Sequence, residues 1–381
     1  MPQVKPEVEA FARIKVVGIG GSGKNALNHM INSKVRGVEF IAINTDSQDL
    51  HHTLAKKKIH IGKNLTRGLG TGMNPDVGKR AAEETLEELQ EAIKGADMVF
   101  IAGGEGGGTF TGVAPIVART AKELGALTVA VATKPFFFEG NQRMRLADQG
   151  LKELRGNVDA IVEIPNDRLL STIEKSTTAK AAFAICDEVL KQAVEGISDL
   201  ITTPGIINID FADIRAILEN AGPTLMGIGY GSGEKRAEDA AKMAINSPLL
   251  DISITGAKGV LFSISGGDDL TMFEIQDAAK LITESADPEA KIIFGTIRSD
   301  RLKKDEIKIT VIASGFPEHQ TQKRTMFEQK ETPVMQKQEE KPVIPQSTPI
   351  KEKQVEKKPL EDDDSDDWGA VPAFLRRSKL K

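Results

Sequence analysis

A single cysteine, Cys186, occurs in 381 residues, so no disulfide framework can form and a reducing compartment is expected. Aromatic residues are scarce at 4%, with one Trp368 and one Tyr230. The core must therefore be aliphatic, which suits buried parallel strands between helices better than an all-β fold. No apolar run approaches the about 20 residues of a membrane-spanning helix, and the opening MPQVKPEVEAFARIK lacks the apolar centre of a signal peptide. A basic excess is missing too. Net charge is −5 with the signs interspersed, which excludes the broad basic surface that nucleic-acid binding needs. These absences predict a soluble, cytoplasmic chain that reaches a membrane only through a partner. Its length is sufficient for two domains with cores of their own.

From Arg13 onward, strand and helix patterns alternate. IKVVGIG, EFIAINTD, DMVFIAGG, LTVAVAT and DAIVEIP read as buried strands. KNALNHMINS, the long amphipathic DVGKRAAEETLEELQEAIK, GVAPIVARTAKELG and a segment from Gln142 to Leu154 read as helices. This alternation predicts an α/β fold with a doubly wound parallel sheet over residues 13–178, and ligands in such sheets sit at the carboxyl ends of the strands. AKAAFAICDEVLKQAVEGISDLI predicts a long central helix over 179–202, apolar around much of its circumference and so buried between two domains. TTPGIINIDFADIRAILENAG breaks it and begins another helix. GVLFSISGG, EAKIIFGTIRS and EIKITVIASGF read as strands around the helix TMFEIQDAAKLITES, giving a second, smaller α+β domain over 203–316. Residues 1–12 are expected to be a flexible N-terminus. Residues 317–367, rich in Pro, Gln, Lys and Glu, are expected to be a disordered linker. The linker ends in a distinct segment, WGAVPAFLRRSKLK, at 368–381.

GIGGSGKN, residues 18–25, matches two phosphate-binding patterns at once. Gly18, Gly20 and Gly23 give the G-x-G-x-x-G of a dinucleotide fold, with Asp46 near the spacing of its acidic residue. Gly18, Gly23 and Lys24 begin a P-loop, but Asn25 stands where a metal-binding Ser or Thr belongs. A second glycine-rich turn, AGGEGGGTFTG at 102–112, also lies between a strand and a helix, which Pro115 can enter in its first turn. Small residues there let backbone N–H groups converge on an anion at a helix N-terminus. A dinucleotide enzyme uses one such loop. A single nucleotide held by several phosphate loops accounts for both.

Taken in order, GIGGSGKNALNHM, EFIAINTD, LTRGLGTGMNP, GGEGGGTFTG, TKPFFFEG, NIDFADI, GPTLMGIGYGSGEKRA and IIFGTI resemble FtsZ, the tubulin-like GTPase family of bacterial cell division. The likeness runs from about residue 13 to 316 and returns at the last few residues. It implies that Gly20, Gly21, Ser22, Gly23, Lys24 and Asn25 lie against the phosphates of GTP through backbone N–H groups, with the Lys24 side chain exposed. Thr71 and Gly72 match the loop that faces the terminal phosphate. Gly104, Gly106, Gly107, Gly108, Thr109 and Phe110 match the signature phosphate loop. Glu139 and Arg143, alone an ordinary i,i+4 ion pair, match groups at the ribose and the sugar-phosphate. Phe183 and Asp187, alone one core and one polar position on a helix face, match the base site. There an aromatic stacks on the base and an Asp accepts protons from the guanine edge, with Asn166 as the other base-reading group. Asn208, Asp210 and Asp213 resemble the catalytic loop that enters the neighbouring subunit's pocket. From pattern alone, Asp210 and Asp213 would be helix caps. The resemblance thus implies a GTPase that works only when assembled into head-to-tail filaments of the division ring at mid-cell, with Mg2+ carried by the nucleotide and no metal held by the protein alone.

The family signature G-G-G-T-G-[ST]-G has Phe110 in place of its middle glycine here, and Glu105 brings a negative charge close to a polyanion. Ser22 and Lys24 are milder departures. A large ring beside the phosphates, or a backbone that needs φ > 0, would strain the loop. At the tail, Val371, Phe374 and Leu375 fall on one helical face with Arg376 and Arg377 beyond. VPAFLRR resembles the FtsZ tail peptide that binds membrane tethers such as FtsA, a helix-in-groove mode. Three readings stay open: an assembly-dependent GTPase, a GTP-binding structural filament protein whose hydrolysis Phe110 and Glu105 impair, and an NAD(P)-type dinucleotide oxidoreductase.

Overall fold

The computed structural model describes residues 12–316, apart from 171, 172, 175, 204, 248–253, 300 and 301. The expected N-terminal segment, linker and tail peptide, with Val371, Phe374, Leu375, Arg376 and Arg377, lie outside the described residues. In chain order the strands are β1 (Ile14–Ile19), β2 (Val38–Asn44), β3 (Lys57–His60), β4 (Met98–Gly104), β5 (Leu127–Lys134), β6 (Ala160–Pro165), β7 (Gly222–Ser232), β8 (Gly259–Gly266), β9 (Lys291–Arg298) and β10 (Glu306–Ser314). The helices are α1 (Gly20–Asn32), α2 (Ser47–His51), α3 (Lys63–Thr66), α4 (Pro75–Glu84), α5 (Leu86–Ile93), α6 (Thr109–Glu123), α7 (Asn141–Arg155), α8 (Asn166–Leu170), α9 (Ala179–Thr202), α10 (Phe211–Leu218), α11 (Arg236–Ile245) and α12 (Met272–Ser285).

The strand order is β3-β2-β1-β4-β5-β6-β7-β10-β8-β9, and every pairing from β3 to β6 is parallel. The parallel strands are buried on both faces, as their aliphatic runs require. Val16, Met98 and Phe100 point into one core with α1 and α9. Val17, Val99 and Ile101 point into the opposite core with α4, α5, α6 and α7. The period-2 alternation of each strand thus feeds two separate helix layers. The core facing α9 continues into the second sheet through Leu261, Ile297 and Ile312. From Cys186 onward α9 is buried, as its apolar circumference predicts, whereas its first turns are exposed.

Three expectations are corrected. The long helix expected over DVGKRAAEETLEELQEAIK is two helices, α4 and α5, broken at Thr85, whose hydroxyl bonds Ala81 O and Gly62 N. Pro115 is interior to its helix and not in its first turn, because α6 already begins at Thr109 inside the glycine-rich loop. Likewise α1 begins at Gly20, so the first glycine motif is itself the opening turn of a helix.

The strand β7 was not legible as one. Its Gly222–Thr224 portion pairs in parallel with β6, and the remainder runs antiparallel to β10, so one strand joins the two sheets. The glycines of GPTLMGIGYGS weaken its strand pattern. In the structure Gly227, Gly229 and Gly231 share one face, against which the backbone of α11 lies. A Cβ on them would fall 2.0, 2.0 and 1.9 Å from the carbonyl oxygens of Ala244, Ala240 and Arg236, respectively. The spacings match: two strand residues advance about 6.6 Å, and four helical residues about 6 Å. Buried Arg236 then ties α11 to α12, bonding Asp269 and Glu274 at 2.6 Å each. Replacement of Gly229 by Ala is expected to destabilise the chain by about 2 kcal/mol or more, read as a lowered midpoint in calorimetric unfolding.

Candidate functional site

A cavity of about 320 Å³ opens at the carboxyl ends of β1, β4, β5 and β6, the ligand position of a doubly wound sheet. Two helix N-termini face it. Neither α1 nor α6 has a side-chain cap or an acidic residue in its first turn, so the N–H groups there are left for an anion. Gly20, with φ +70°, makes the strand-to-helix turn into α1. Gly18 and Gly23 serve packing instead: a Cβ on Gly23 would meet Ala102 O at 2.7 Å, and one on Gly18 would meet Gly23 O at 2.6 Å.

Most of the expected positions converge. Gly20, Gly21, Ser22, Asn25, Gly104, Gly107, Gly108, Thr109, Phe110, Glu139, Arg143, Asn166, Phe183 and Asp187 all line the cavity. Gly23, Lys24, Thr71, Gly72 and Gly106 do not. Gly106, with φ +83°, shapes the loop by donating its N–H to Thr111 Oγ1 at 3.1 Å. Thr71 stands one layer out, its hydroxyl 3.3 Å from that of Thr109, and Gly72 is exposed. The expectation of an exposed Lys24 is corrected: the side chain is largely buried in an ion pair with Asp49, which also accepts from Asn44 Nδ2 at 2.7 Å. The P-loop match is therefore coincidental, since this lysine is turned to α2. Asp46 caps α2 by accepting from Asp49 N at 3.0 Å and does not line the cavity.

The departures from the family signature are absorbed by the core. Phe110 lies in the first turn of α6 with helical backbone, so its N–H stays available. Its ring is 3% exposed and packs over Gly103, where a Cβ would fall 2.1 Å from it. Glu105 is likewise 3% exposed, turned beneath the loop toward Gly150 and Thr111. Both residues border the cavity, but the Phe110 ring and the Glu105 carboxyl are packed into the layer behind the loop. Loss of hydration pushes the Glu105 carboxyl up to about 8, with Thr111 and Gly106 opposing and the charges of Glu163 and Glu153 adding.

The far wall is one face of α9: Phe183, Cys186, Asp187 and Leu190 follow at i, i+3, i+4 and i+7. Cys186 and Leu190, like Thr133 and Pro135 at the end of β5, were missed; the helical spacing from Phe183 and the strand-end position were the available signals. Phe183 is 48% exposed and meets Phe136 edge to face at 5.4 Å between ring centres. Burial raises Asp187 to about 6, with the charges of His29 and Lys24 opposing. Two polar atoms at the wall, Asn166 Oδ1 and Arg143 Nε, are buried without a hydrogen-bond partner, although buried polar atoms are normally satisfied. Arg143 Nη1 pairs with Glu139 Oε2 at 2.5 Å.

Asn208, Asp210 and Asp213 are not at this cavity; they are exposed around the start of α10. Asp210 occupies the cap position without a side-chain cap bond, so the capping role read from pattern does not hold for its carboxylate. The helix is held at the amino ends of the strands: Arg215 donates to Gly125 O at 3.4 Å, just before β5, and Lys122 bonds Asn220 Oδ1 at 3.0 Å. β5 has 8 residues, so the acidic loop and the cavity lie at opposite ends of the sheet, roughly 25 Å apart.

A doubly wound sheet whose glycine loops and helix N-termini frame such a cavity defines a nucleotide-binding protein. The GTPase domain of the Tubulin/FtsZ family matches residues 13–174, and the C-terminal domain of the FtsZ family matches residues 222–317. Among solved structures, an empty FtsZ dimer from M. jannaschii is 45% identical, with a TM-score of 0.77 over 81% of this chain and 89% of that one. CetZ1 from Haloferax volcanii, a GDP-bound monomer, shares the fold at 19% identity and TM-score 0.71, over 80% and 95% of the two chains. CetZ2 from the same organism, a GTPγS-bound protofilament, does so at 19% and 0.69, over 80% and 94%. The chain belongs to the Tubulin/FtsZ family and is an FtsZ-like GTPase; the oxidoreductase reading falls with that assignment.

Two outcomes follow. Phe110→Gly is expected to lower stability by about 3–5 kcal/mol through loss of a buried ring, without a gain in phosphate release over the parent. Asp187→Asn is expected to stabilise the nucleotide-free chain at pH 7 by about 1–2 kcal/mol, after discounting for its partial exposure. The raised carboxyl is a penalty only when ionised, so this gain should vanish as pH falls from about 6 to below 3.8. Chemical denaturation at pH 7 and pH 3.5 checks the sign.

Proposed function

We propose that the cavity binds GTP and that hydrolysis occurs where two subunits meet head to tail, the pocket of one being completed by the acidic loop of the next. The carrying observation is the placement of an exposed acidic loop, with Asp210 uncapped, at the end of the sheet opposite the cavity. Translation of one copy along the strands brings its Asn208, Asp210 and Asp213 to the terminal phosphate held by another copy. The two carboxylates then orient and polarise the attacking water, and Asn208 assists in holding it. Loss of the γ-phosphate removes a ligand that bridges both subunits, so the contact weakens in the GDP state. The GTPγS-bound protofilament of CetZ2 supports filament formation by this fold.

Within the pocket, the uncapped first turns of α1 and α6 receive the phosphates, with Thr71 and Gly72 closing over the terminal one. Glu139 and Arg143 take the sugar side, where the unpaired Arg143 Nε is a donor in waiting. Phe183 stacks on the base. Asp187 accepts from the guanine N1–H and amino group, and Asn166, whose Oδ1 lacks a partner, completes the reading of that base. Adenine offers no N1–H donor, so the pocket selects guanine. Mg2+ would arrive with the nucleotide and offset the charge of its phosphates.

The biological reading is a cytoplasmic filament of the cell-division ring, joined at mid-cell to membrane tethers of the FtsA kind through 371–377. Among the described residues no helix is long and apolar enough to cross a membrane. Phosphate release per subunit should rise steeply above a threshold protein concentration. Asp213→Asn should lower it on the order of 100-fold while GTP-dependent sedimentation persists. A dilute, unassembled sample that cleaves GTP as fast as a concentrated one would overturn the shared site.

A further inference from the structure

Glu105 has no place in the mechanism above, yet it is the most deeply buried carboxyl bordering the cavity. Neither of its oxygens has a hydrogen-bond partner. The donors beside it are the Thr111 hydroxyl and the Gly106 amide, the amide donating to Thr111 Oγ1 at 3.1 Å. Its side chain occupies space that exists only because α7 carries Gly150 there: a Cβ on Gly150 would fall 2.4 Å from Glu105 Oε2. The charged groups that face it are Glu153 of α7 and Glu163 of β6, both of its own sign. Glu163 is occupied by Arg155 and Lys134, and Glu153 by Lys79. Among the described residues no cation pairs with Glu105, so its charge, once formed, would lie beneath the loop assigned to a polyanion with only the Thr111 and Gly106 dipoles to ease it.

We propose that Glu105 is a positioning residue of the phosphate loop that must carry its proton for the triphosphate to bind, so that GTP binding in mildly alkaline solution takes up a proton from solvent. The proposal rests on the reading of this cavity as the GTP site. As the uncharged acid, Glu105 fills the notch at Gly150 and supports the turn at Gly106. As a carboxylate it repels the phosphates across a medium that screens poorly and seeks water by displacing that turn. The sign follows from linkage: ligand that prefers the protonated form binds more weakly as pH rises through the free protein's titration near 8.

Calorimetric titration of GTP into the full chain, held below its assembly threshold, at pH 7.0 and 8.5 in two buffers of different protonation enthalpy tests this. Guanine keeps its own N1–H over that range. The dissociation constant should be about fourfold weaker at pH 8.5, with uptake of about three-quarters of a proton per GTP. In Glu105→Gln the ratio between the two pH values should fall to about one and the uptake should disappear. A flat profile in the parent, or the same weakening in the Gln variant, would overturn the proposal. Should that variant fail to fold, zero proton uptake by the parent at pH 8.5 would overturn it alone. An absence of GTP binding at pH 7.0 would overturn the site assignment and this proposal with it.

Discussion

Two helices, α1 and α6, begin where parallel strands end, and neither has a side chain to cap its first turn. Each leaves N–H groups that in most helices a Ser, Thr, Asp or Asn would satisfy. A cradle made of main chain tolerates little bulk, which accounts for the glycines at both turns. It also accounts for the close approach of neighbouring segments: a Cβ on Gly108 would fall 2.3 Å from Thr71 Oγ1. The loop around Thr71 is thereby held in close contact with the start of α6. The other walls, α9 and the ends of β5 and β6, then complete an enclosure beside which Asn166 Oδ1 and Arg143 Nε are buried without partners.

Much of this was legible in the sequence because the determinants are local. Short, nearly continuous aliphatic runs announced β1, β2, β4, β5 and β6, and the spacing of Phe183 and Asp187 placed both on one helix face. β7 was illegible for a physical reason. Its glycines answer to the backbone of α11, a partner distant enough in space and pattern that only the assembled structure explains them. The short edge strand β3 and helix α11 were missed with it. Thr85 was similarly opaque, since the break between α4 and α5 depends on hydrogen bonds reaching Gly62.

The misreadings at the site share one cause: side-chain direction. Lys24, Phe110 and Glu105 each lie beside a phosphate loop in the chain; Lys24 was expected to be exposed, and Phe110 and Glu105 were weighed as if they faced the ligand. The structure turns Lys24 to Asp49, Phe110 over Gly103, and Glu105 toward Gly150. A helix that begins inside a glycine motif presents its amides to the cavity and its side chains to the layers around it, so substitution in such a motif is judged by the packing behind it. Gly103 and Gly150 are the complementary signals, recognisable only once their partners are known.

The strand β7 has a consequence for how the chain can be divided. Its first residues complete one sheet and the rest open the other, so no cut between the halves leaves both with finished borders. A fragment ending before Gly222 would present β6 with a row of vacant amides and carbonyls, the kind of margin that recruits stray chains. The seam is therefore also a tether of fixed length: whatever displacement one half undergoes is handed to the other through a continuous ribbon, with no slack loop to dissipate it.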